Sequence, residues 1–100
     1  MARSSSVFIR KNKLDKMVQI LKAVADPGRL QIVNILLREE CRVGELVETL
    51  GTKQSLTSQQ LSIMKLSGLL KSRRDGNKVY YYLASDSIKR IVESIIDEIL

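Results

Sequence analysis

The stretch VGELVETLGTKQSLTSQQLSIMKLSG, residues 43–68, decides the fold. VGELVETL has the apolar spacing of a short helix. Gly51 follows it, the residue type that most readily ends a helix in the left-handed conformation. GTK is a tight turn, and QSLTSQQLSIMKLS is a second helical stretch that stops at Gly68. Two helices across so short a turn have the spacing of a helix-turn-helix.

Upstream, Leu14, Met17, Val18, Leu21, Val24 and Ala25 recur at helical steps from Asn12 onward. ADPGRL breaks that run. Asp26 is suited to cap a helix N-terminus, and Pro27 to the first helical position, where no amide donor is needed. The next helix carries Leu30, Ile32, Val33, Ile35, Leu36 and Leu37, apolar on most sides, so it belongs at the centre. Glu39 to Arg42 form a polar break. Downstream, LLKSRR and KVYYYL are β-prone runs around Asp75-Gly76-Asn77. Asp-Gly is a strong hairpin signal because glycine tolerates a positive φ. A last helix starts near Ser85 or Asp86, and Ile88, Ile91, Val92, Ile95, Ile96, Ile99 and Leu100 give it one apolar stripe. Residues 1–11 read as a flexible basic arm. Residues 12–100 read as one domain, mainly α, with five helices and a hairpin wing.

A chain of 100 residues holds one domain with a limited core, so a dimer that adds shared core fits its size. No apolar run approaches the length of a membrane span. The first nine residues lack the features of a secretory signal. One cysteine cannot form an internal disulfide. A cytoplasmic protein is expected.

The net charge is +6, and its distribution is uneven. Residues 1–16 carry Arg3, Arg10, Lys11, Lys13 and Lys16 against Asp15. Residues 53–78 carry Lys53, Lys65, Lys71, Arg73, Arg74 and Lys78 against Asp75. Residues 17–52 and 84–100 are slightly acidic. Two concentrated basic segments point to a face for a polyanion, against the blander alternative of a solubilising surface.

Charge and fold point the same way. A helix-turn-helix presents its second helix to the DNA major groove. Here Lys53 ends the turn, Gln54 opens that helix, and Ser55, Ser58, Gln59 and Ser62 line one side of it. Short polar groups let backbone and DNA approach closely and can bond base edges or phosphates. Thr57, Leu61 and Met64 should pack inward. Arg73, Arg74 and Lys78 flank the hairpin tip, within reach of an adjacent phosphate backbone or minor groove. Each feature alone is ordinary surface; together they are specific for double-stranded DNA. Catalysis is not expected: histidine, a thiol–base pair, a glycine-rich phosphate loop and carboxylates clustered in a likely cleft are all missing, and Asp97-Glu98 reads as solvated charge at a helix end.

ILKAVADPGRLQIVNILL, VGELVETLG and SQQLSIMKLSGLLKSRRDGNKVYYYL together resemble the ArsR/SmtB family of winged-helix repressors, over residues 17–100. The resemblance implies a homodimer, paired through its first and last helices, that occupies a palindromic operator and leaves it when an inducer binds. A last helix with so long an apolar stripe also needs a partner on its own account. One departure concerns the start of the second helix: relatives place a small residue and then a large apolar one before SQQL, whereas here Leu56 precedes Thr57.

Metal-responsive relatives place several cysteines near VGEL, or Asp, His and Glu pairs on the last helices. Here Cys41 stands alone, Gly44 occupies the second thiol's place, and the terminal stretch offers Ser85, Ser87, Asp97 and Glu98. A lone thiol and scattered carboxylates make a poor Zn²⁺ site, so neither metal nor cofactor is expected. Closer in pattern are relatives that respond to reactive sulfur or oxidants through one cysteine before xVGEL and a second in the last helix. Cys41 matches the first, and residues 84–100 hold no second. Cys41 is therefore a candidate one-thiol sensor or has no thiol role. A helix N-terminus and Arg42 would lower its pKa, Glu39 and Glu40 would raise it, and sequence leaves the sign open. The alternative function is a winged-helix module that binds DNA or protein without an inducer.

Overall fold

The computed structural model describes residues 8–99. The elements run α1 (Lys11–Val24), α2 (Pro27–Leu36), α3 (Val43–Leu50), α4 (Gln54–Ser67), β1 (Leu70–Asp75), β2 (Lys78–Leu83) and α5 (Asp86–Ile99). This is the expected five-helix domain with a hairpin wing. Residues 1–7 of the expected arm, and Leu100 of the terminal stripe, lie outside the described residues. Helix α1 already includes Lys11, one residue earlier than the apolar period indicates.

The helix boundaries follow from local chemistry. The Asp26 carboxylate accepts from the Arg29 amide at 3.0 Å, and Pro27 opens α2 as the first helical residue. Arg29 then folds back, and its Nε donates to the Ala23 carbonyl at 2.7 Å. That bond satisfies an end carbonyl of α1 and locks the α1–α2 corner. The Ser85 hydroxyl accepts from the Ile88 amide at 3.1 Å, so Ser85, rather than Asp86, caps α5. Gly51 ends α3 at φ 67°, in the left-handed region anticipated for it.

Helix α2 is central. It touches α1, α3, α4, α5 and β2. Ile32, Val33 and Leu36 are buried, and they meet Leu46 of α3, Leu61 and Met64 of α4, and Leu69, Leu70 and Leu83 around the wing root. Each such side chain contributes roughly 1.5–3 kcal/mol by leaving water. By contrast, Val92 is the only fully buried residue described in α5. Leu14, Met17, Val18 and Leu21 of α1, with Ile91, Ile95 and Ile99 of α5, stay exposed. Two amphipathic helices thus leave an apolar face uncovered within one chain.

The hairpin pairs Leu70 with Leu83 through to Asp75 with Lys78. The loop proper is therefore Gly76-Asn77, and Asp75 belongs to β1. Gly76 has φ 66° and no non-glycine residue described has a positive φ. A positive φ at the first loop position alone is the type II′ pattern, which matches the twist of the strands.

One feature of the fold has no counterpart in the sequence patterns. Glu39 to Arg42 is more than a polar break, because Cys41 forms an antiparallel bridge to Tyr81. The Tyr81 amide donates to the Cys41 carbonyl at 2.8 Å, and the Cys41 amide to the Tyr81 carbonyl at 3.2 Å. The Tyr81 groups on the second edge of β2 are thereby satisfied, and the start of α3 is joined to the wing.

Candidate nucleic-acid interface

Thr57, Leu61 and Met64 are fully buried, as their spacing requires, and so fix the rotation of α4. The Thr57 hydroxyl is satisfied by that of Thr52 at 2.7 Å. The order Leu56-Thr57 is thereby explained: Thr57 takes the inward place and Leu56 stays 46 % exposed. Lys53, Gln54, Ser55, Gln59 and Ser62 are exposed, whereas Ser58 is half-buried at the edge of the face. At helical spacing, Ser55, Gln59, Ser62 and Leu66 form one outward line. Leu66 is 87 % exposed, a residue the polar pattern did not single out. Its signal was available: counted from the inward Thr57 and Leu61, position 66 points outward.

Hairpin alternation sends Arg73 and Arg74 to opposite faces. Arg74 shares a face with Ser72, whose hydroxyl accepts from Lys65 Nζ at 2.7 Å and so ties the wing to the end of α4. Arg73 shares the other face with Lys71, Tyr80 and Lys78. Its Nε donates to Glu40 Oε1 at 2.6 Å, and its guanidinium lies 4.6 Å from the Tyr80 ring centroid. The bond to Glu40 holds the Arg73 pKa above its ordinary value. Arg42 approaches the same ring at 6.0 Å, the outer limit of a cation–π contact. Its amide donates to Glu45 at 2.8 Å at the start of α3. Glu40 and Arg42 thus flank the bridging Cys41 on the Arg73 face. The sequence named Arg73 as a phosphate contact but gave no sign of its carboxylate partner.

Cys41 is buried. Burial first, then Glu45 and Glu39, push its thiol pKa up. Its Sγ lies 3.6 Å from the Glu39 carbonyl, a weak S–H···O contact. The sign that sequence left open is therefore set: the environment favours the protonated thiol. Among the described residues, no three His, Cys, Asp or Glu side chains gather as a metal site. No helix described is long and apolar enough to cross a membrane.

A short helix, a tight turn, a polar-faced helix and a basic two-stranded wing define a winged helix-turn-helix protein of the DNA-binding class. The family described as "Bacterial regulatory protein, arsR family" matches residues 26–72. The nodulation protein NolR of Rhizobium meliloti is 39% identical over 77% of this chain and 63% of its own length. The transcriptional activator HlyU of Vibrio cholerae is 41% identical over 78% of this chain and 72% of its own. The biofilm growth-associated repressor of Agrobacterium fabrum is 36% identical over 76% and 65%. For NolR and the biofilm repressor, the chain thus spans less than two thirds of the relative's length. A solved structure of Vibrio cholerae HlyU superposes with TM-score 0.78 at 39% identity, covering 87% of this chain and 94% of that one. A homodimeric winged helix-turn-helix DNA-binding domain from Mycobacterium bovis superposes with TM-score 0.80 at 27% identity, covering 97% and 89%. The chain belongs to the arsR family of bacterial transcriptional regulators. It is a DNA-binding transcriptional regulator of that family.

Proposed function

We propose that the chain is a homodimeric repressor that occupies a palindromic operator, with α4 in the major groove and the wing on the flanking backbone. The observation that carries this reading is the pairing of two surfaces on one domain. Lys53, Gln54, Ser55, Ser58, Gln59 and Ser62 form a small polar face beside a wing bearing Arg73, Arg74 and Lys78. On the other side, α1 and α5 leave aliphatic faces uncovered. A two-fold pair of such domains covers those faces and carries two reading helices, the arrangement that a palindrome mirrors. The Mycobacterium bovis domain, described as homodimeric, supports the pairing. Repression follows from occupancy, because a dimer seated over a promoter excludes polymerase. The names of the relatives include both an activator and a repressor, so the sign of control is a direct object of the test.

DNase footprinting on fragments selected from a random pool tests the reading. Two protected half-sites related by a dyad, about one helical turn apart, are expected. Protection without a dyad would overturn the palindrome, and a reporter driven from the selected site gives the sign of control.

The mode of release has two readings. Modification of Cys41 by an oxidant or reactive sulfur species would act on the segment bridged to Tyr81, which joins α3 to the wing. Its burial and raised pKa instead support a regulator that works without this thiol as a trigger. Cys41→Ser decides between them. If wild type leaves DNA under persulfide or peroxide and the variant stays, the thiol is the trigger. If wild type also stays, it is not.

A further inference from the structure

Arg73 is held from two sides. The Tyr80 ring packs against its guanidinium, 4.6 Å from ring centroid to Cζ. Glu40 Oε1 fixes its direction by accepting from Nε at 2.6 Å. Among the described residues, neither Nη group has a hydrogen-bond partner, and the side chain is 48% exposed. The Nη edge is thus left unbonded on a half-exposed side chain, and that edge is the fork that receives a phosphate through two parallel bonds. Lys71 and Lys78 share this wing face and Arg42 of the α3 start reaches the same Tyr80 ring, against Glu40, Glu45 and Asp75, so that with Arg73 the cations outnumber the carboxylates by one. A free arginine gives up rotamer freedom on binding, and Arg73 has already been ordered by Glu40 and Tyr80.

We infer that Glu40 is a positioning residue for DNA binding: through Nε it presents the Nη edge of Arg73 to a backbone phosphate. The inference rests on the DNA-binding reading above. It also carries an internal opposition. Glu40 orders the arginine, yet its charge repels phosphates within about a Debye length, roughly 10 Å at 0.1 M salt. Two substitutions separate these effects. Glu40→Gln keeps an acceptor oxygen for Nε and drops the charge. Glu40→Ala removes both.

The test titrates the full chain against a fluorescent random-sequence duplex of about 30 base pairs, long enough for two half-sites. Wild type, Glu40→Gln and Glu40→Ala are compared in native and Arg73→Ala backgrounds. Thermal melts check that each is folded. Glu40→Ala should bind roughly tenfold more weakly per dimer, although it has lost a negative charge. Glu40→Gln should bind at least as tightly as wild type. With Arg73→Ala present, Glu40→Ala should no longer weaken binding. The inference is overturned if Glu40→Ala binds as well as wild type or better, if Gln fails to rescue, or if the loss persists without Arg73. In the wild type, the Arg73 Nε–H proton resonance should keep its Glu40-bonded shift when DNA is added while the Nη resonances move. A Nε–H signal that reverts to the free position would also overturn it. Failure of wild type to bind any duplex would overturn the DNA-binding reading and this inference with it.

Discussion

At the scale of single residues, neighbours distant in the chain decide how a side chain behaves. Cys41 sits before a helix and beside Arg42, a setting that in water would activate a thiol. Folding buries it and places Glu45 and Glu39 near it, and the pKa rises. Labelling with iodoacetamide at pH 7 should therefore be at least about tenfold slower in the native protein than in urea. The same shift links to stability. Its folded pKa lies above the unfolded one, so the contribution is whole below the unfolded pKa. It is lost as pH rises, because the unfolded chain ionises first. Cys41→Ser should flatten that alkaline decline of the melting temperature, with little effect on its slope below pH 8. Equal slopes for the two proteins above the ordinary thiol range would contradict the assignment.

Among the elements, helices were legible in sequence and the wing's connections were not. The three- and four-residue apolar steps, Asp26-Pro27, Gly51 and Gly68 each act within one or two turns, so their signals are local. Asp26→Ala removes the cap of the central helix and should cost about 1 kcal/mol in a urea titration. A loss below a few tenths would mean that packing of α2 carries the whole boundary. The Cys41–Tyr81 bridge and the Glu40–Arg73 pair join segments far apart in the chain, and a single bridging residue has no alternation to read. For the same reason, Arg73 and Arg74 looked equivalent in sequence. They differ by face: Arg73 is paired with Glu40, and Arg74 has no ion pair among the described residues. Arg74→Ala should weaken binding to all duplexes alike and lower the salt slope by about one for each phosphate that is no longer neutralised. A sequence-dependent effect would move Arg74 from the backbone to a base edge.

For the whole molecule, α1 and α5 leave their aliphatic faces open within a single chain. Met17, Leu21, Ile91 and Ile95 line one apolar groove between them. Exposing so continuous a set of aliphatics costs about 25 cal/mol for every Å² left in water. Ile95→Glu places a charge in that groove without touching the wing or α4. Sedimentation velocity should show the variant as a monomer where the wild type is a dimer, and its affinity for a palindromic duplex should fall by more than tenfold. A monomeric wild type at micromolar concentration would contradict pairing through these helices. A dimeric Ile95→Glu would place the interface elsewhere.

The order of the elements, the Asp26 and Gly51 caps, the inward set of α4 and the two basic segments were readable from the chain alone. All of these depend on neighbours within a few residues or on periodicity along one helix. Packing between segments set the rest: the upward shift of the Cys41 thiol, its bridge to Tyr81, the outward Leu56 and Leu66, and the Glu40 held against Arg73. Burial and through-space charge have no fixed sequence separation, so only the folded chain assigns them.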